Sequence, residues 1–205
     1  MSHSLELHIP RGLITNWCID FMLSNQQIET MFTHAKECTK NVFKQCFQYK
    51  LCTYILPTNE YLKKYRVADS DLCEKCNEER DTILHRLWEC QHIIPFLHPI
   101  LADVKNWVDR QEDFSVEEFL FGIGAGGQEG LNLFLIECKL FLFYDYKVAD
   151  SVKCNTDRFY HKVRKLILKE KHIARGKTGY ERFVNKWSNF TPIYDFRGPD
   201  PTICS

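Results

Sequence analysis

Four residues able to bind a metal ion lie within one short segment: Cys73, Cys76, His85 and Cys90. Thiolate and imidazole are the ligands that tetrahedral zinc selects. A Cys-x2-Cys pair can contact one metal ion from two neighbouring corners, and the spacer formed by residues 77–84 lets the chain turn back to supply the third ligand. Four protein ligands fill the coordination shell and leave no open position for a substrate. The spacing therefore predicts one structural zinc ion.

The local sequence also predicts how the last two ligands are held. Asp81 or Thr82 can cap the start of a helix that carries His85. Positions five apart on a regular α-helix differ by about 140° and cannot share a face, so Cys90 is predicted at or beyond the end of that helix. The alternative to a metal site is that the four residues are ordinary members of a core.

The remaining cysteines and histidines give weaker signals. The chain has 10 cysteines, but residues 1–10 lack the charged and apolar regions of a secretory signal, so we expect a reducing compartment, the cytoplasm or the nucleus. His92 and His98 are possible substitute ligands, although a histidine among apolar neighbours is more often a packed side chain. Scattered cysteines are expected to be small buried hydrophobes or free thiols: Cys18, Cys38, Cys46, Cys138, Cys154 and Cys204.

Two other motifs resemble nucleotide-binding sequences but fail on context. The glycine-rich residues 122–127 follow no predicted strand, so they are interpreted as a linker and not as a dinucleotide-binding turn. Gly176-Lys177-Thr178 resembles the end of a phosphate-binding loop, but Lys171 stands where that loop needs a glycine. The sequence has no Asp-Asp pair and no recognisable Ser/His/Asp arrangement. We therefore expect no catalytic activity.

Charge is distributed unevenly, although 27 basic residues balance 27 acidic ones. Residues 69–150 carry 7 Lys/Arg and 17 Asp/Glu, whereas residues 153–187 carry 11 Lys/Arg and 3 Asp/Glu. A basic segment gains free energy near a polyanion by releasing counterions, and interleaved aromatic residues can stack on bases. The sequence predicts RNA or single-stranded DNA binding with Lys162, Lys165 and Lys169 as phosphate contacts. The alternatives are attraction between the two halves and a solvated basic helix face.

Apolar periodicity predicts that helices position these residues. One long helix is expected from residue 26 until Pro57 stops it, with Lys44 on its wet side, and Thr58 can cap a short helix that follows. A further helix is expected from about Pro99, and Ser115 with Glu118 resembles a capping box.

The most apolar run, residues 131–148, is nearly long enough to cross a membrane, but Asn132, Glu137, Lys139 and Asp145 interrupt it. We expect a buried helix and no membrane partner, followed by a basic helix from about residue 157. Period-two strands are scarce. The predicted fold is all-α, an irregular helical assembly with a small CCHC zinc-binding loop-helix element.

The predicted organisation has four parts. Residues 1–56 form an N-terminal helical segment, and residues 57–115 form the zinc-binding segment. Residues 116–190 form a C-terminal basic helical segment, and residues 191–205 form a loose tail, because proline and glycine are frequent there.

Several segments together look like one known cassette: Leu56-Pro57-Thr58-Asn59-Glu60-Tyr61-Leu62, Ser70-Asp71-Leu72-Cys73, Cys76, His85 and Trp88-Glu89-Cys90. They resemble the zinc-binding segment downstream of the polymerase in LINE-type, non-LTR retrotransposon reverse transcriptases. Residues 131–138, the basic helices and Phe183-x3-Trp187 are similar to the tail of such proteins, so the resemblance covers most of residues 40–190. The chain departs from the family at Phe96-Leu97 and at Arg80.

The resemblance implies a non-catalytic region that helps to hold template RNA or target DNA, with Cys73, Cys76, His85 and Cys90 as zinc ligands. Polymerase and endonuclease residues of the family would lie upstream and do not transfer. A possible protein partner is the upstream polymerase region. The alternative function is a zinc-dependent protein-interaction module whose apolar face, residues 131–143, docks on a polymerase or another partner.

Overall fold

Helices form nearly all of the regular structure in the computed structural model, which describes Trp17, residues 21–124 and residues 127–194. Over these ranges the α-helices are α1 (Asn25–Cys38), α2 (Val42–Cys52), α3 (Asn59–Lys64), α4 (Ile94–Trp107), α5 (Val116–Phe121), α6 (Glu129–Leu140), α7 (Val152–Ile173) and α8 (Gly176–Trp187). Two π-helical turns, His85–Glu89 and Phe141–Asp145, and a 3-10 turn, Ser188–Phe190, complete them. No strand occurs in these ranges, and the all-α prediction is confirmed.

Side-chain caps begin several of the helices. The hydroxyl of Thr58 accepts a hydrogen bond from the N–H of Tyr61 at the start of α3, as predicted. Ser115 and Glu118 form the expected capping box at the start of α5, with the Glu118 carboxylate accepting from the Ser115 N–H at 3.0 Å. These caps satisfy N–H groups that have no partner inside the helix.

The single long helix predicted from residue 26 to residue 56 is wrong. Thr39 is extended, with φ −149° and ψ 147°, and it ends α1. Asn41 then caps α2, because its side-chain oxygen accepts from the N–H of Lys44 at 3.3 Å. The apolar spacing continues across this break, so periodicity alone could not reveal it.

The break changes which side chains of α2 meet the core. Lys44 was expected on the wet side, but its ammonium group pairs with the buried Glu137 carboxylate of α6. Val42 and Phe43 continue the apolar spacing of α1, yet both are exposed. The interior face of α2 is formed instead by Phe47 and its neighbours one turn later.

Helix α4 begins at Ile94, five residues before the start that the prolines suggested. Pro95 lies in the first turn, where helical N–H groups have no partner to lose. Pro99 is inside the helix and removes only the hydrogen bond to the carbonyl of Pro95, one turn earlier. Burial of Phe96 and Leu97 is consistent with a helix that starts this early.

Helix α6 is the central element of the fold, and every residue from Gly130 to Leu140 is buried. Its polar residues have partners: Asn132 exchanges two hydrogen bonds with the backbone of Ile123, and the Lys139 ammonium donates to the Leu120 carbonyl at 2.7 Å. The expected buried helix is therefore present. It ends at Leu140, eight residues before the predicted end, where the second π-helical turn begins.

Helices α7 and α8 cover one side of α6. Helix α7 starts at Val152, five residues before the prediction. An aromatic cluster joins it to α4 and α6, and Phe159 packs edge-on against Phe96 and Phe134. Ile193 and Tyr194 are also buried, so the tail predicted to be loose from residue 191 is packed to Tyr194. Residues 195–205 lie outside the described ranges.

The hydrophobic core is continuous across the predicted segments. One cluster of buried side chains includes Phe47 from the first segment, Cys73 and Leu97 from the second, and Phe134 and Phe159 from the third. The metal-binding segment is therefore packed directly on the helical core.

Candidate metal centre

A tight turn brings the first two predicted ligands together. The N–H of Asn77 donates to the carbonyl of Cys73 at 2.8 Å, and the N–H of Cys73 donates to the carbonyl of Glu79 at 2.8 Å. Asn77 has φ 57°, a left-handed conformation that asparagine tolerates better than most residues. This loop places Cys73 and Cys76 on the same side of the turn.

The first π-helical turn positions the other two ligands. The N–H of His85 donates to the Thr82 hydroxyl at 2.9 Å, so Thr82 is the predicted cap and Asp81 is not. The N–H of Cys90 donates to the carbonyl of His85 at 2.9 Å, which is the i→i+5 bond of a π-helix. Residues five apart, which an α-helix would separate, are thereby brought together. The prediction that Cys90 follows the helix end is confirmed.

The four donor atoms fit a tetrahedral zinc ion. All of them lie within 4.8 Å of one another, with 3.9 Å between the Sγ atoms of Cys73 and Cys90 and 3.4 Å between Cys76 Sγ and His85 Nε2. Zinc bond lengths and tetrahedral angles require about 3.8 Å for a sulfur pair and about 3.5 Å for sulfur and nitrogen. A disulfide would need about 2.05 Å. The arrangement could hold one metal ion.

Burial affects the protonation state of the Cys90 thiol. Cys73, His85 and Cys90 are buried, and Cys76 is half-buried on the solvent side. Burial raises the pKa of the Cys90 thiol to about 12, so at neutral pH this thiol gives up its proton when a metal ion replaces it. The backbone N–H of Lys75 donates a hydrogen bond to Cys73 Sγ at 3.4 Å.

A buried ion pair ties the metal-binding residues to the helical core, and the sequence analysis did not identify it. The Asp81 carboxylate is fully buried and accepts from Nε of Arg86 at 2.7 Å and from the backbone N–H of Asn59 at 2.6 Å. The guanidinium of Arg86 also lies 4.9 Å from the ring centre of Phe143, in the second π-helical turn. One acidic residue thus links α3, the ligand-bearing turn and the core.

The two other histidines near the centre are not part of the cluster. His92 contributes its backbone carbonyl, which accepts from the Tyr146 hydroxyl at 2.5 Å. His98 is exposed, and its ring lies 6.5 Å from that of Trp88. Among the scattered cysteines within the described ranges, Cys38 and Cys138 are buried and Cys46 and Cys154 are exposed. Cys18 and Cys204 fall outside those ranges.

The three predicted phosphate contacts lie on α7 and differ in their surroundings. The ammonium group of Lys162 is 2.5 Å from the Asp145 carboxylate. Lys165 and Lys169 are exposed, and within the described part of the chain neither forms an ion pair. His161 and His172 are exposed on the same face, because these four positions fall within about 80° around the helix axis.

The other basic residues of the segment 153–187 also fall into two groups, those that contact a partner and those that are exposed without an ion pair. Those held by partners include Arg158, Arg164 and Lys186, which contact Asp150, the carbonyl of Ile193 and Glu170. Exposed basic residues without an ion pair in the described ranges are Lys153, Arg175, Lys177 and Arg182. Sequence reasoning could not separate these two groups, since partner residues come from other elements.

Within the described ranges, no helix has both the length and the apolar character needed to cross a membrane. Comparisons with protein-family models, with curated proteins and with solved structures found no match.

Proposed function

We propose that this chain is a non-catalytic, zinc-stabilised module that binds RNA or single-stranded DNA through the exposed basic face of α7. We further propose that it is the C-terminal region of a retrotransposon reverse transcriptase, where it assists handling of template RNA or target DNA. The observation that carries the binding proposal is the unpaired state of Lys165 and Lys169 beside neighbours that are neutralised. The polymerase context rests on the resemblance of the cysteine-histidine cassette.

Zinc acts as a structural brace in this proposal. Cys73, Cys76, His85 and Cys90 supply four ligands, which is the number that closes a structural site. The ion would join the turn around Cys73 to the π-helical turn around His85. Because four protein ligands leave no open position for water or substrate, the site is not built for metal-assisted hydrolysis.

The electrostatics of α7 support phosphate binding. A lysine already paired with a carboxylate must lose that contact before it gains one to phosphate, and this reduces the net gain. Lys162 is in that position with Asp145. Lys165 and Lys169 have no ion pair to lose within the described residues, so they are the principal phosphate contacts in the proposal. His161 and His172 lie beside them.

The alternative function, a protein-interaction module, needs a different surface from the one that the sequence suggested. Residues 131–142 are all buried in the core, so the apolar face of this segment is not available to a partner. Binding of a polymerase fragment by the purified chain in the absence of nucleic acid is the result that would favour this alternative.

The test is salt-dependent binding of the full chain to a labelled single-stranded oligonucleotide, followed by fluorescence anisotropy between about 50 and 200 mM salt. The double substitution Lys165→Gln with Lys169→Gln should weaken binding and lower the slope of log K against log salt by about 1.4. Lys36→Gln with Lys40→Gln is the matched control, because both lysines are exposed and lie on α1 or directly after it. Absence of binding by the folded, zinc-loaded chain at low salt would overturn the proposal.

A further inference from the structure

A groove of about 620 Å³ lies beside the candidate metal centre, and the sequence analysis did not identify it. One wall is α3 with Tyr65, the residue directly after its end, and the other includes Asp71, Arg80 and Ile83 from the segment that enters and leaves the metal-binding loop. Its volume is within the range of sites for small organic groups, about 300–1,000 Å³. We propose that this groove binds one unpaired, amino-bearing base of a single-stranded nucleic acid.

Two tyrosines provide the surface for stacking. The rings of Tyr61 and Tyr65 are 4.8 Å apart, since positions four apart lie on the same face of α3. Tyr65 is 58% exposed, which is unusual for a large ring that lines a groove. A base that stacks on such a ring is held irrespective of its sequence, because every base has a π face.

Three cations lie around the stacking surface, and Lys64, which forms no ion pair within the described residues, is the contact for a flanking phosphate. Lys64 Nζ is 6.0 Å from the centre of the Tyr65 ring, and Lys63 and Arg80 line the same groove. The side chain of Arg80 is 66% exposed. These three cations exceed the two carboxylates of the groove, so the groove carries a net positive charge.

The carboxylates give the groove a preference among bases. Asp71 is 2.7 Å from the Lys63 ammonium, and Glu60 is 3.2 Å from the Arg80 guanidinium, so both are neutralised. Each carboxylate retains lone pairs that accept hydrogen bonds, and the exocyclic amino group of cytosine is a suitable donor. Uracil presents a carbonyl oxygen at that position and would be repelled. The groove should therefore prefer cytosine to uracil.

The metal-binding loop holds both walls of the groove in place. Leu72 and Arg80 form an antiparallel bridge, and the N–H of Asp81 donates to the carbonyl of Asp71 at 2.7 Å. The Asp81 carboxylate accepts from the N–H of Asn59, the first residue of α3. Zinc at the adjacent cluster would fix these contacts, so the groove and the brace form one unit. A paired base could not enter, because duplex stacking keeps it out of a concave site.

This inference rests on the proposed function and names a second contact for the same ligand. The experiment measures binding of the full zinc-loaded chain to oligocytidine and oligouridine by anisotropy, with Tyr65→Leu, Tyr65→Phe and Tyr49→Leu variants. Tyr49→Leu is the matched control, because Tyr49 is 51% exposed on α2 and does not line the groove. Tyr65→Leu should weaken oligocytidine binding about tenfold, the loss of one stacked base. Tyr65→Phe and Tyr49→Leu should bind as the unmodified chain does.

A second measurement does not depend on the stability of a variant. Ultraviolet crosslinking of 5-iodocytidine oligonucleotide to the unmodified chain, with mapping by mass spectrometry, should give adducts at Tyr61 or Tyr65. If Tyr65→Leu binds normally and the adducts lie only on α7, the groove inference is overturned while the proposed function stands. Equal binding of the two oligonucleotides would overturn the cytosine preference. If the unmodified chain binds no single strand, both proposals fail.

Discussion

Cys90 lies with its thiol inside the cluster of four candidate metal ligands. It is fully buried, and its Sγ atom lies 3.9 Å from that of Cys73. The π-helical hydrogen bond to His85 fixes its backbone in that place.

Cys90→Ser should remove most bound zinc and lower the free energy of unfolding. Serine keeps the size of cysteine but is a poor zinc ligand, so the remaining three residues would no longer close the site. Elemental analysis should give about one zinc per chain for the unmodified protein and much less for the variant. Cys46→Ser, at an exposed thiol outside the cluster, should keep its zinc. A folded, reduced chain without bound metal would contradict the prediction.

Lys139 is another residue whose chemistry depends on burial. Burial in α6 lowers the pKa of its ammonium group from 10.5 to about 7, although it donates a hydrogen bond to Leu120. In the unfolded chain the group keeps its proton up to about pH 10.5. Between these values the unfolded state binds more protons than the folded state, and stability therefore rises with pH.

Raising the pH from about 7 to about 8.5 should stabilise the unmodified protein by about 1–2 kcal/mol more than the Lys139→Met variant. Methionine has a similar volume and does not titrate. Urea unfolding at the two pH values measures the difference. Above about pH 9 the stability of the unmodified protein should fall as the pH rises. Burial raises the pKa of Cys38 and Cys52 to about 12 in the folded protein, whereas their thiols ionise in the unfolded chain. Parallel pH profiles for the two proteins would exclude this role for Lys139.

Residue types and spacing were sufficient to predict that Cys73, Cys76, His85 and Cys90 come together, because all four lie in one short stretch of chain. The buried pair of Asp81 and Arg86 was not predicted, since either residue alone looks like an ordinary surface charge. The difference between Lys162 and its neighbours was also invisible, because Asp145 comes from a separate element. Local chemistry is readable from sequence, whereas partner choice depends on the tertiary structure.

At the scale of elements, α6 and α8 are in close contact at a glycine. A methyl group on Gly130 would collide with the backbone oxygen of Lys186. Lys186 is held there by its ammonium group, which contacts Glu170 at 2.8 Å and the carbonyl of Cys38 at 2.7 Å. These contacts therefore hold the backbones of α6 and α8 close together.

Gly130→Ala should lower the free energy of unfolding by about 1–3 kcal/mol, because α8 must shift to admit the methyl group. Gly179→Ala is the matched control within α8, since a methyl group there would be 3.6 Å from Ala174, an ordinary contact. That control should be neutral or stabilising by about 0.5–1 kcal/mol, as expected for a helix interior. Thermal unfolding of both variants measures these effects. Similar stability of the two variants would show that the crossing is not tight.

The helix starts after Thr58 and Ser115 were predicted correctly, whereas α4 and α7 each begin five residues before the predicted start. Thr58 and Ser115 have side chains that cap, and their signal is local. Three helices end with a non-glycine residue in the left-handed region, namely Tyr54, Arg66 and Asp109, with φ between 51° and 60°. Glycine usually marks such ends, so these carried no signal in the sequence. The π-helical turns were missed for the same reason, since no residue type identifies them.

At the scale of the whole molecule, the candidate metal centre packs on a hydrophobic core whose large buried side chains come from other elements. The largest buried side chains include Phe134, Phe141 and Phe159, which belong to α6, the second π-helical turn and α7. Small zinc domains unfold when the metal is removed, because they have little other core. This chain has in addition a continuous aromatic cluster outside the metal-binding loop.

Removal of zinc with a chelator should therefore leave most of the helical signal in far-ultraviolet circular dichroism. Amide hydrogen exchange should increase in the loop and turn that carry Cys73 and His85, and in α3, which is tied to them through Asp81. Exchange in α6 should change little, because its amides are buried far from solvent. Loss of the whole circular dichroism signal on chelation would show that the core needs the metal.

The all-α architecture was predictable at this scale, because helical periodicity and the scarcity of alternating segments point the same way. The division into separate segments was less informative, since side chains from all three segments share one core. Sequence shows which faces are apolar but not which faces meet. The apolar residues 131–142 illustrate this, because they were a possible docking surface and are in fact the centre of the molecule.

The contact of Lys186 with Cys38 spans 148 positions of the chain, and this has a consequence for synthesis on the ribosome. Helix α6 emerges well before α8 and the 3-10 turn that follows it, yet Phe190 of that turn packs against Phe134. Until Phe190 has been synthesised, the nascent chain exposes one side of α6, which belongs to the most apolar segment of the protein. Such long-range closure slows folding and favours aggregation. The growing polypeptide should therefore depend on chaperones until residue 190 has left the exit tunnel.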